Sequence, residues 1–307
     1  MDLRGRHVIS IADFTRDEIL GILRTAQALE SGCRPDALNN KLMATLFFEP
    51  STRTRLSFEA SMLKLGGRVM GFSDPSATST KKGESLADTI RMIERYADVI
   101  VIRHPRDGAA RLASEVSRVP IVNGGDGSNQ HPTQTFLDLY TISRVFPALT
   151  NGGDLTIAFA GDLRYGRTVH SLISALCHFS AKLLMVAPRG LELPEQYALE
   201  AKAHGLSIAT VPTLQDAIAR CDVLYMTRLQ EERFPDPLEF DHIKSSYRVT
   251  AAMLNTAKPC MRILHPLPRI NEIAADVDNT QHAHYFTQAG NGIPVRQAVL
   301  SLVLGAT

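Results

Sequence analysis

The sequence lacks an excess of charge of either sign. Its 307 residues include 33 Lys and Arg against 32 Asp and Glu, which gives a formal net charge of +1. A chain that binds nucleic acid or a membrane surface broadly carries a basic excess, because phosphate groups dominate those partners. We therefore expect no nucleic acid and no membrane as partners. Any anion must bind at a local cluster of cations.

Long apolar runs and paired cysteines are also missing. No apolar run approaches the roughly 20 residues that a membrane-spanning helix needs, and residues 1–4 lead into mixed sequence without a signal-peptide pattern. The sequence has neither a C-x-x-C pair nor a zinc spacing. It therefore predicts reduced, mostly buried thiols, no metal site and a cytoplasmic location. The cysteines are Cys33, Cys177, Cys221 and Cys260.

The common nucleotide-binding motifs are absent too. The turn at 161–168 follows a predicted strand, but it has no G-x-G-x-x-G, so a nucleotide-dependent dehydrogenase is a distant alternative. The sequence has no G-x-x-x-x-G-K-[ST] loop either. We expect no cofactor.

Short apolar runs that alternate with amphipathic stretches predict repeated βα units and parallel sheets. The first helix has a capping box at Thr15 and Glu18, and Gly32 ends it. We predict an α/β fold of two tandem domains, each a parallel sheet flanked by helices, with the active-site cleft between them. The predicted strands are 42–48, 68–72, 98–102, 120–122, 155–160, 182–186, 207–210, 222–226 and 262–264, and the main helices after the first are 52–65, 86–96, 108–117, 132–145 and 293–304.

A turn-rich stretch at 147–153 is the best domain boundary. We predict a first domain over 1–146 and a second over 147–291. The C-terminal helix, 292–307, is expected to complete the first domain, although the sequence itself does not decide to which half it returns.

The stretch FFEPSTRTRLSFEAS at 47–61 concentrates hydroxyl and guanidinium groups between a predicted strand and helix. Ligands of parallel sheets bind at this edge, and the helix start offers free N–H groups to an anion. Ser51, Thr52, Arg53 and Thr54 therefore predict a cradle for a tetrahedral anion. The alternative is that Ser51 is a simple N-cap and that the arginines are solvated.

Other predicted strand ends in the first half carry matching chemistry. Arg103 and His104 follow the strand 98–102, and His131 opens a helix behind the Gly-rich loop 123–128. A lone histidine is more often structural, but one at a helix start tends to stay neutral and can donate a hydrogen bond. The loop 73–84, with Lys81 and Lys82, is either a solvated surface loop or a lid that carries a cation.

The second half adds arginines at further strand ends. Arg167 begins a predicted helix, and Arg228 and Gln230 follow the strand 222–226. Each arginine can bind one carboxylate through two hydrogen bonds, which suits a dicarboxylate substrate. Either could instead form a structural ion pair. The rigid segment 265–269, His-Pro-Leu-Pro-Arg, follows the last predicted strand.

These motifs together resemble the aspartate and ornithine carbamoyltransferases. The resemblance covers essentially the whole chain, and ornithine-specific members carry His-Cys-Leu-Pro where this chain has His265-Pro266-Leu267-Pro268. That difference and the paired arginines favour the aspartate-specific branch. The matching segments are Phe47 to Thr54, Lys81 to Glu84, Arg103 to Pro105, Gly125 to Gln134, Gly161 to His170, Met226 to Arg228 and His265 to Arg269.

The resemblance implies transfer of the carbamoyl group from carbamoyl phosphate to L-aspartate, an early step of pyrimidine biosynthesis. The implied catalytic residues are Arg53, Thr54, Arg103 and His131. The implied carbamoyl-phosphate site adds Ser51, Thr52, Gln134, Ser79 and Lys82 to these. The implied aspartate site comprises Lys82, Arg167, Arg228, Gln230 and the backbone of Leu267 and Pro268.

The resemblance also implies a homotrimer in which a neighbouring subunit's loop supplies Ser79 and Lys82. That loop is one residue shorter here than in the family pattern. Glu49 and Glu239 are the implied contacts of the closed state. The sequence leaves open whether a separate regulatory chain binds. It also leaves two alternatives: a carbamoyltransferase with another amine acceptor such as ornithine, and a non-catalytic protein that binds carbamoyl phosphate.

Overall fold

The computed structural model describes residues 2–32, 34–74, 82–229 and 246–306. The chain divides into two compact units, of which the first combines Met1–Tyr140 with Asn291–Thr307 and the second is Thr141–Gly290. Within the described ranges, every helix is too short or too polar to cross a membrane.

The first unit is built on a four-stranded parallel sheet in the order β2-β1-β3-β4. Its interior is apolar, with residues such as Leu46, Ile100 and Ile102 fully or almost fully buried. The strands are β1 Leu42–Phe47, β2 Arg68–Phe72, β3 Val99–His104 and β4 Ile121–Asp126, and the helices are α1 Arg16–Ser31, α2 Thr52–Lys64, α3 Leu86–Ile93, α4 Ala109–Val116 and α5 Pro132–Val145, the last of which continues into the second unit.

Helix α1 forms as its capping box predicts. The Thr15 hydroxyl accepts the N–H of Glu18 at 3.3 Å, and the Glu18 carboxylate accepts the N–H of Thr15 at 2.8 Å. Gly32 is the C-cap. The apolar face, which includes Ile19 and Ile22, is buried.

Three predicted element ends are wrong by two or more residues, and the others agree within one residue. Strand β3 extends to His104, so Arg103 and His104 are its last residues instead of following it. Strand β4 extends to Asp126 and absorbs most of the predicted Gly-rich loop, because the Asn123 side chain bonds to the N–H of Gly125 at 2.8 Å and to the carbonyl of Ile9 at 3.0 Å. Helix α3 ends at Ile93 instead of residue 96, since the N–H groups of Arg95 and Tyr96 bond to carbonyls three residues back instead of four.

The C-terminal helix, α11 Gly292–Val303, belongs to the first unit and packs against α1 and α2. Almost its whole surface is buried. The Arg296 guanidinium donates to the Ser57 hydroxyl at 2.7 Å, and the Ser61 hydroxyl donates to the carbonyl of Ile293 at 3.2 Å. The chain therefore returns to its first half at its end.

The second unit is built on a five-stranded parallel sheet in the order β7-β6-β5-β8-β9. Two parallel sheets flanked by helices confirm the predicted fold class. The strands are β5 Thr156–Ala160, β6 Lys182–Val186, β7 Ser207–Thr210, β8 Val223–Met226 and β9 Arg262–Leu264, and the helices are α6 Ala148–Asn151, α7 Arg167–Leu176, α8 Glu195–Ala203, α9 Leu214–Arg220 and α10 Tyr285–Gly290, with short 3-10 helices at Ala251–Thr256 and Ala275–Asn279.

Candidate functional site

The turn between β1 and α2 holds the predicted anion cradle. Ser51 occupies the N-cap position of α2, but its hydroxyl makes no capping hydrogen bond. Thr52 and Arg53 are exposed, and Thr54 is buried. Arg55 differs from Arg53, since its Nε is paired with Glu59 at 2.7 Å within the helix. The Ser51 hydroxyl therefore does not cap the helix. Of the two arginines, Arg55 is the one that forms an ion pair within the helix.

Arg103 is buried at the end of β3, beside the cradle. Its Nη2 lies 3.0 Å from Glu49 Oε1, and its Nη1 donates to the carbonyl of Gly124 at 3.3 Å. Its Nε is buried and has no hydrogen-bond partner within the described part of the chain. Partial burial lowers the pKa of Arg53, and the charge of Arg103 lowers it further. Two guanidinium groups that repel each other share this edge of the sheet, an arrangement that favours binding of an anion.

His131 and Gln134 lie at the start of α5 and are both buried. The Gln134 Nε2 donates to Asp138 Oδ1 at 2.8 Å. Because a carboxylate only accepts, this bond fixes the amide orientation and leaves the Gln134 carbonyl oxygen free to accept from a ligand. Sequence reasoning missed Asp138, although its spacing of one helical turn from Gln134 is a detectable signal.

Asp126 holds the segment that leads to His131, and sequence reasoning missed its role. Its fully buried carboxylate accepts the N–H of Gly108 at 2.9 Å and the N–H of Gln130 at 3.1 Å. It also accepts from the side-chain amide of Asn123 at 2.8 Å. A buried aspartate with several donors fixes a loop, because leaving any of them unpaired is costly.

His104 has a local structural role. Its Nδ1 accepts the N–H of Arg106 at 3.0 Å. Burial lowers the pKa of His104, and the charge of Arg106 lowers it further. The ring therefore favours the neutral form, in which Nδ1 can serve as the acceptor that holds this turn.

The aspartate-site candidates of the second unit lie at one edge of its sheet. Arg167 is the first residue of α7, which follows β5, and Arg228 follows β8, the neighbour of β5. Both arginines are half-buried. The ends of β5 and β8 stay together beyond the strands, since the N–H of Thr227 donates to the carbonyl of Ala160 at 2.9 Å. Leu267 and Pro268 follow β9, the other neighbour of β8.

Several candidates lie outside the described residues. Ser79, Lys81, Gln230 and Glu239 belong to this set. Lys82 is described and exposed, just before α3. Glu49 also lies within the described residues, where it forms an ion pair with Arg103.

The thiols lie apart from these clusters. Cys177 is half-buried, Cys221 is buried and Cys260 is exposed, so the prediction of mostly buried thiols fails at Cys260, while Cys33 lies outside the described residues. Burial, aided by Glu200, raises the pKa of Cys177 to about 11. Burial, aided by Asp222, raises the pKa of Cys221 to about 12. Within the described ranges, no group of three or more His, Cys, Asp or Glu side chains could hold a metal ion.

Comparison with known proteins gives matches over both halves of the chain. The aspartate/ornithine carbamoyltransferase carbamoyl-P binding domain matches residues 6–144, and the Asp/Orn binding domain of the same enzymes matches residues 153–303. The aspartate carbamoyltransferase catalytic subunit of Thermococcus gammatolerans is 53% identical over 99% of each chain.

Solved structures give the same result. The catalytic subunit of M. jannaschii aspartate transcarbamoylase is similar with a TM-score of 0.91 and 49% identity, over 98% of each chain. The Trypanosoma cruzi aspartate transcarbamoylase in complex with N-(phosphonacetyl)-L-aspartic acid has a TM-score of 0.91 and 39% identity, over 98% of this chain and 97% of that one.

Proposed function

Because this chain belongs to the aspartate/ornithine carbamoyltransferase family, we propose that it transfers the carbamoyl group of carbamoyl phosphate to the amine of L-aspartate. The products are N-carbamoyl-L-aspartate and phosphate. The observation that carries the proposal is the cluster of Arg53, Arg103 and Thr54 at the edge of the first sheet, which suits a phosphorylated substrate. We place the reaction in the cytoplasm, as an early step of pyrimidine synthesis.

The first unit is the carbamoyl-phosphate-binding domain in this proposal. Ser51, Thr52 and Arg53 hold the phosphate at the start of α2. Arg103, Thr54 and His131 donate to the carbonyl oxygen, where negative charge develops as the amine attacks. The Gln134 carbonyl accepts from the carbamoyl amide, because Asp138 occupies the other end of the Gln134 side chain. Phosphate then leaves into a site already built for its charge.

The second unit is the aspartate-binding domain. Arg167 binds the α-carboxylate, while Arg228, together with Gln230, binds the side-chain carboxylate. The backbone carbonyls of Leu267 and Pro268 accept from amino groups. The complex of the Trypanosoma cruzi relative with N-(phosphonacetyl)-L-aspartic acid supports this division, since that compound joins a phosphonate to an aspartate.

We also propose a homotrimer in which the loop with Ser79 and Lys82 serves a neighbouring subunit's site. Leu56 and Leu63 support an interface on α2, because they are 57% and 59% exposed and lie two turns apart on the same helix face. The sequence leaves a regulatory chain open, and we propose that one can join the assembly because the relatives are named catalytic subunits.

A product assay tests the function. Purified protein with carbamoyl phosphate should form carbamoylaspartate from aspartate and no citrulline from ornithine. Arg53→Ala should lower kcat at least about 100-fold, because it removes a charge from the transition state. Arg55→Ala is the matched control, since this neighbour is already paired with Glu59 and should retain most of the rate. Turnover of ornithine, or equal losses in the two variants, would contradict the assignment.

A further inference from the structure

His265 and Glu272 form a buried pair at the two ends of the loop that follows β9. Their side chains are 1% and 6% exposed, and His265 Nε2 lies 2.7 Å from Glu272 Oε1. The backbone N–H of His265 donates to the side-chain oxygen of Gln288, a residue of α10, at 2.7 Å. The pair is therefore anchored to the body of the second unit.

The tautomer of His265 follows from its second contact. Its Nδ1 lies 2.8 Å from the backbone nitrogen of Leu267, which can only donate. Nδ1 must therefore accept, so the ring proton is on Nε2 and points to the Glu272 carboxylate. The His265 ring therefore accepts from the Leu267 N–H through Nδ1 and donates to the Glu272 carboxylate through Nε2–H.

The other oxygen of Glu272 holds the far half of the loop. Glu272 Oε2 accepts the N–H of Asn271 at 2.9 Å and the N–H of Ile270 at 3.1 Å. Burial raises the pKa of Glu272, but hydrogen bonding and the His265 contact outweigh burial and lower the pKa to about 2. The carboxylate therefore stays ionised and acts only as an acceptor.

The backbone conformation of Leu267 needs support from neighbouring groups. Its φ is +56°, in the left-handed region that side chains other than glycine seldom adopt. A residue in this region keeps its conformation only where its surroundings enforce it. The bond from Leu267 N–H to His265 provides that enforcement. That bond orients the peptide group that precedes the Leu267 Cα, and the bonds of Glu272 to the N–H groups of Ile270 and Asn271 hold the other side, so the carbonyls of Leu267 and Pro268 lie between two fixed points.

We infer that His265 and Glu272 are positioning residues that aim the Leu267 and Pro268 carbonyls at the substrate's amino group. This inference rests on the proposed function, which assigns amine binding to those carbonyls. The pair contacts no substrate itself. A carbonyl that is displaced or free to turn loses most of its value as an acceptor, because hydrogen bonds weaken steeply with poor alignment.

Two substitutions separate the two contacts of the ring. His265→Asn keeps an acceptor near the Leu267 N–H and removes the donor to Glu272, whereas His265→Gln does the reverse. Each should raise the KM for aspartate about tenfold, the effect of losing about one well-formed hydrogen bond. The KM for carbamoyl phosphate should change less than about twofold, and kcat should fall less than KM rises.

Glu272→Gln supplies an independent variant. A glutamine amide cannot accept at both ends, so either the Nε2–H of His265 or the N–H groups of Ile270 and Asn271 face a donor. Glu272→Gln should raise the aspartate KM at least as much as His265→Asn does.

His282→Asn is the matched control, because His282 is also buried in this unit but bonds the carbonyl of Met261 at 2.9 Å, outside the loop. It should lower stability and leave the aspartate KM unchanged.

The results of these experiments distinguish a failure of the inference from a failure of the proposed function. An unchanged aspartate KM in both folded His265 variants overturns the inference. So does a failure of both to fold, by circular dichroism, when His282→Asn folds, because the pair would then be purely structural. If the unchanged chain forms no carbamoylaspartate, the proposed function fails instead.

Discussion

Arg296 lies buried in the first unit, where a cation needs a compensating charge. Burial lowers its pKa to about 10, against an opposing effect of Asp138. Its guanidinium packs over the Phe58 ring at 5.0 Å and donates to Ser57. Because Asp138 also holds Gln134, the charge pair supports a side chain of the candidate carbamoyl-phosphate site.

A double-mutant cycle should reveal this coupling. Asp138→Asn leaves Arg296 without the charge of Asp138, and Arg296→Met leaves the buried Asp138 without the charge of Arg296. The double variant removes both charges, so its loss of unfolding free energy should be smaller than the sum of the single losses by about 1–3 kcal/mol. Urea unfolding measures all three variants. Additive losses would mean that the two charges do not stabilise each other.

Sequence reasoning reached some of these residues and missed others for a physical reason. Arg53 and Thr54 were predictable because a strand, a turn and a helix start are local patterns. Asp138 was within reach, since it follows Gln134 by one helical turn. Arg296 and Glu272 were not, because a pairing between buried groups that are distant along the chain, or that meet across an irregular loop, leaves no periodic signal.

Gly161 allows the backbone after β5 to pack closely against the residue that follows β8. Its φ is +114°, and an added Cβ would lie 2.5 Å from the carbonyl oxygen of Thr227, the residue that follows β8. That contact is shorter than any that packed atoms tolerate, and the Thr227 oxygen belongs to rigid backbone. Arg228 is the next residue, so the glycine helps to place a candidate aspartate-binding group.

We therefore expect Gly161→Ala to act on both stability and substrate binding. The methyl group must push the end of β8 away and displace Arg228, which should raise the KM for aspartate several-fold, on the order of 1 kcal/mol of binding. Gly190→Ala is the control, because Gly190 also has a positive φ, of +85°, but open space around its Cβ. It should cost about 1 kcal/mol of stability and leave that KM unchanged. An equal KM in the two variants would contradict the role of Gly161.

Elements were predictable where burial sets a strong pattern and less so at their ends. The nine predicted strands all occur, and seven of them are largely buried, whereas β2 and β7 contain no buried residue. Strand β4 runs further than predicted, since hydrogen bonds from the Asn123 side chain compensate for the poor strand propensity of its glycines. The C-terminal helix was predictable as a helix, but its place against α1 and α2 depends on tertiary packing.

In the proposed trimer, each active site depends on groups from more than one chain. Lys82 is exposed, whereas Arg53 and Arg103 lie close together in the first unit. In the proposed trimer, a complete site takes Lys82 from a neighbour. A single sequence reveals this only through its resemblance to a family, because contacts between copies leave no pattern in one chain.

Subunit mixing tests the shared site. Lys82→Ala and Arg53→Ala should each be nearly inactive alone. In trimers reassembled from equal amounts of both, a site is intact when an Arg53-bearing chain has a Lys82-bearing neighbour, so about a quarter of the sites should work. A mixture of Arg53→Ala with Arg103→Ala is the matched control. Both groups come from the same chain, so no site is restored. Equal activity in the two mixtures, after labelled chains are seen to exchange, would place Lys82 in its own subunit's site.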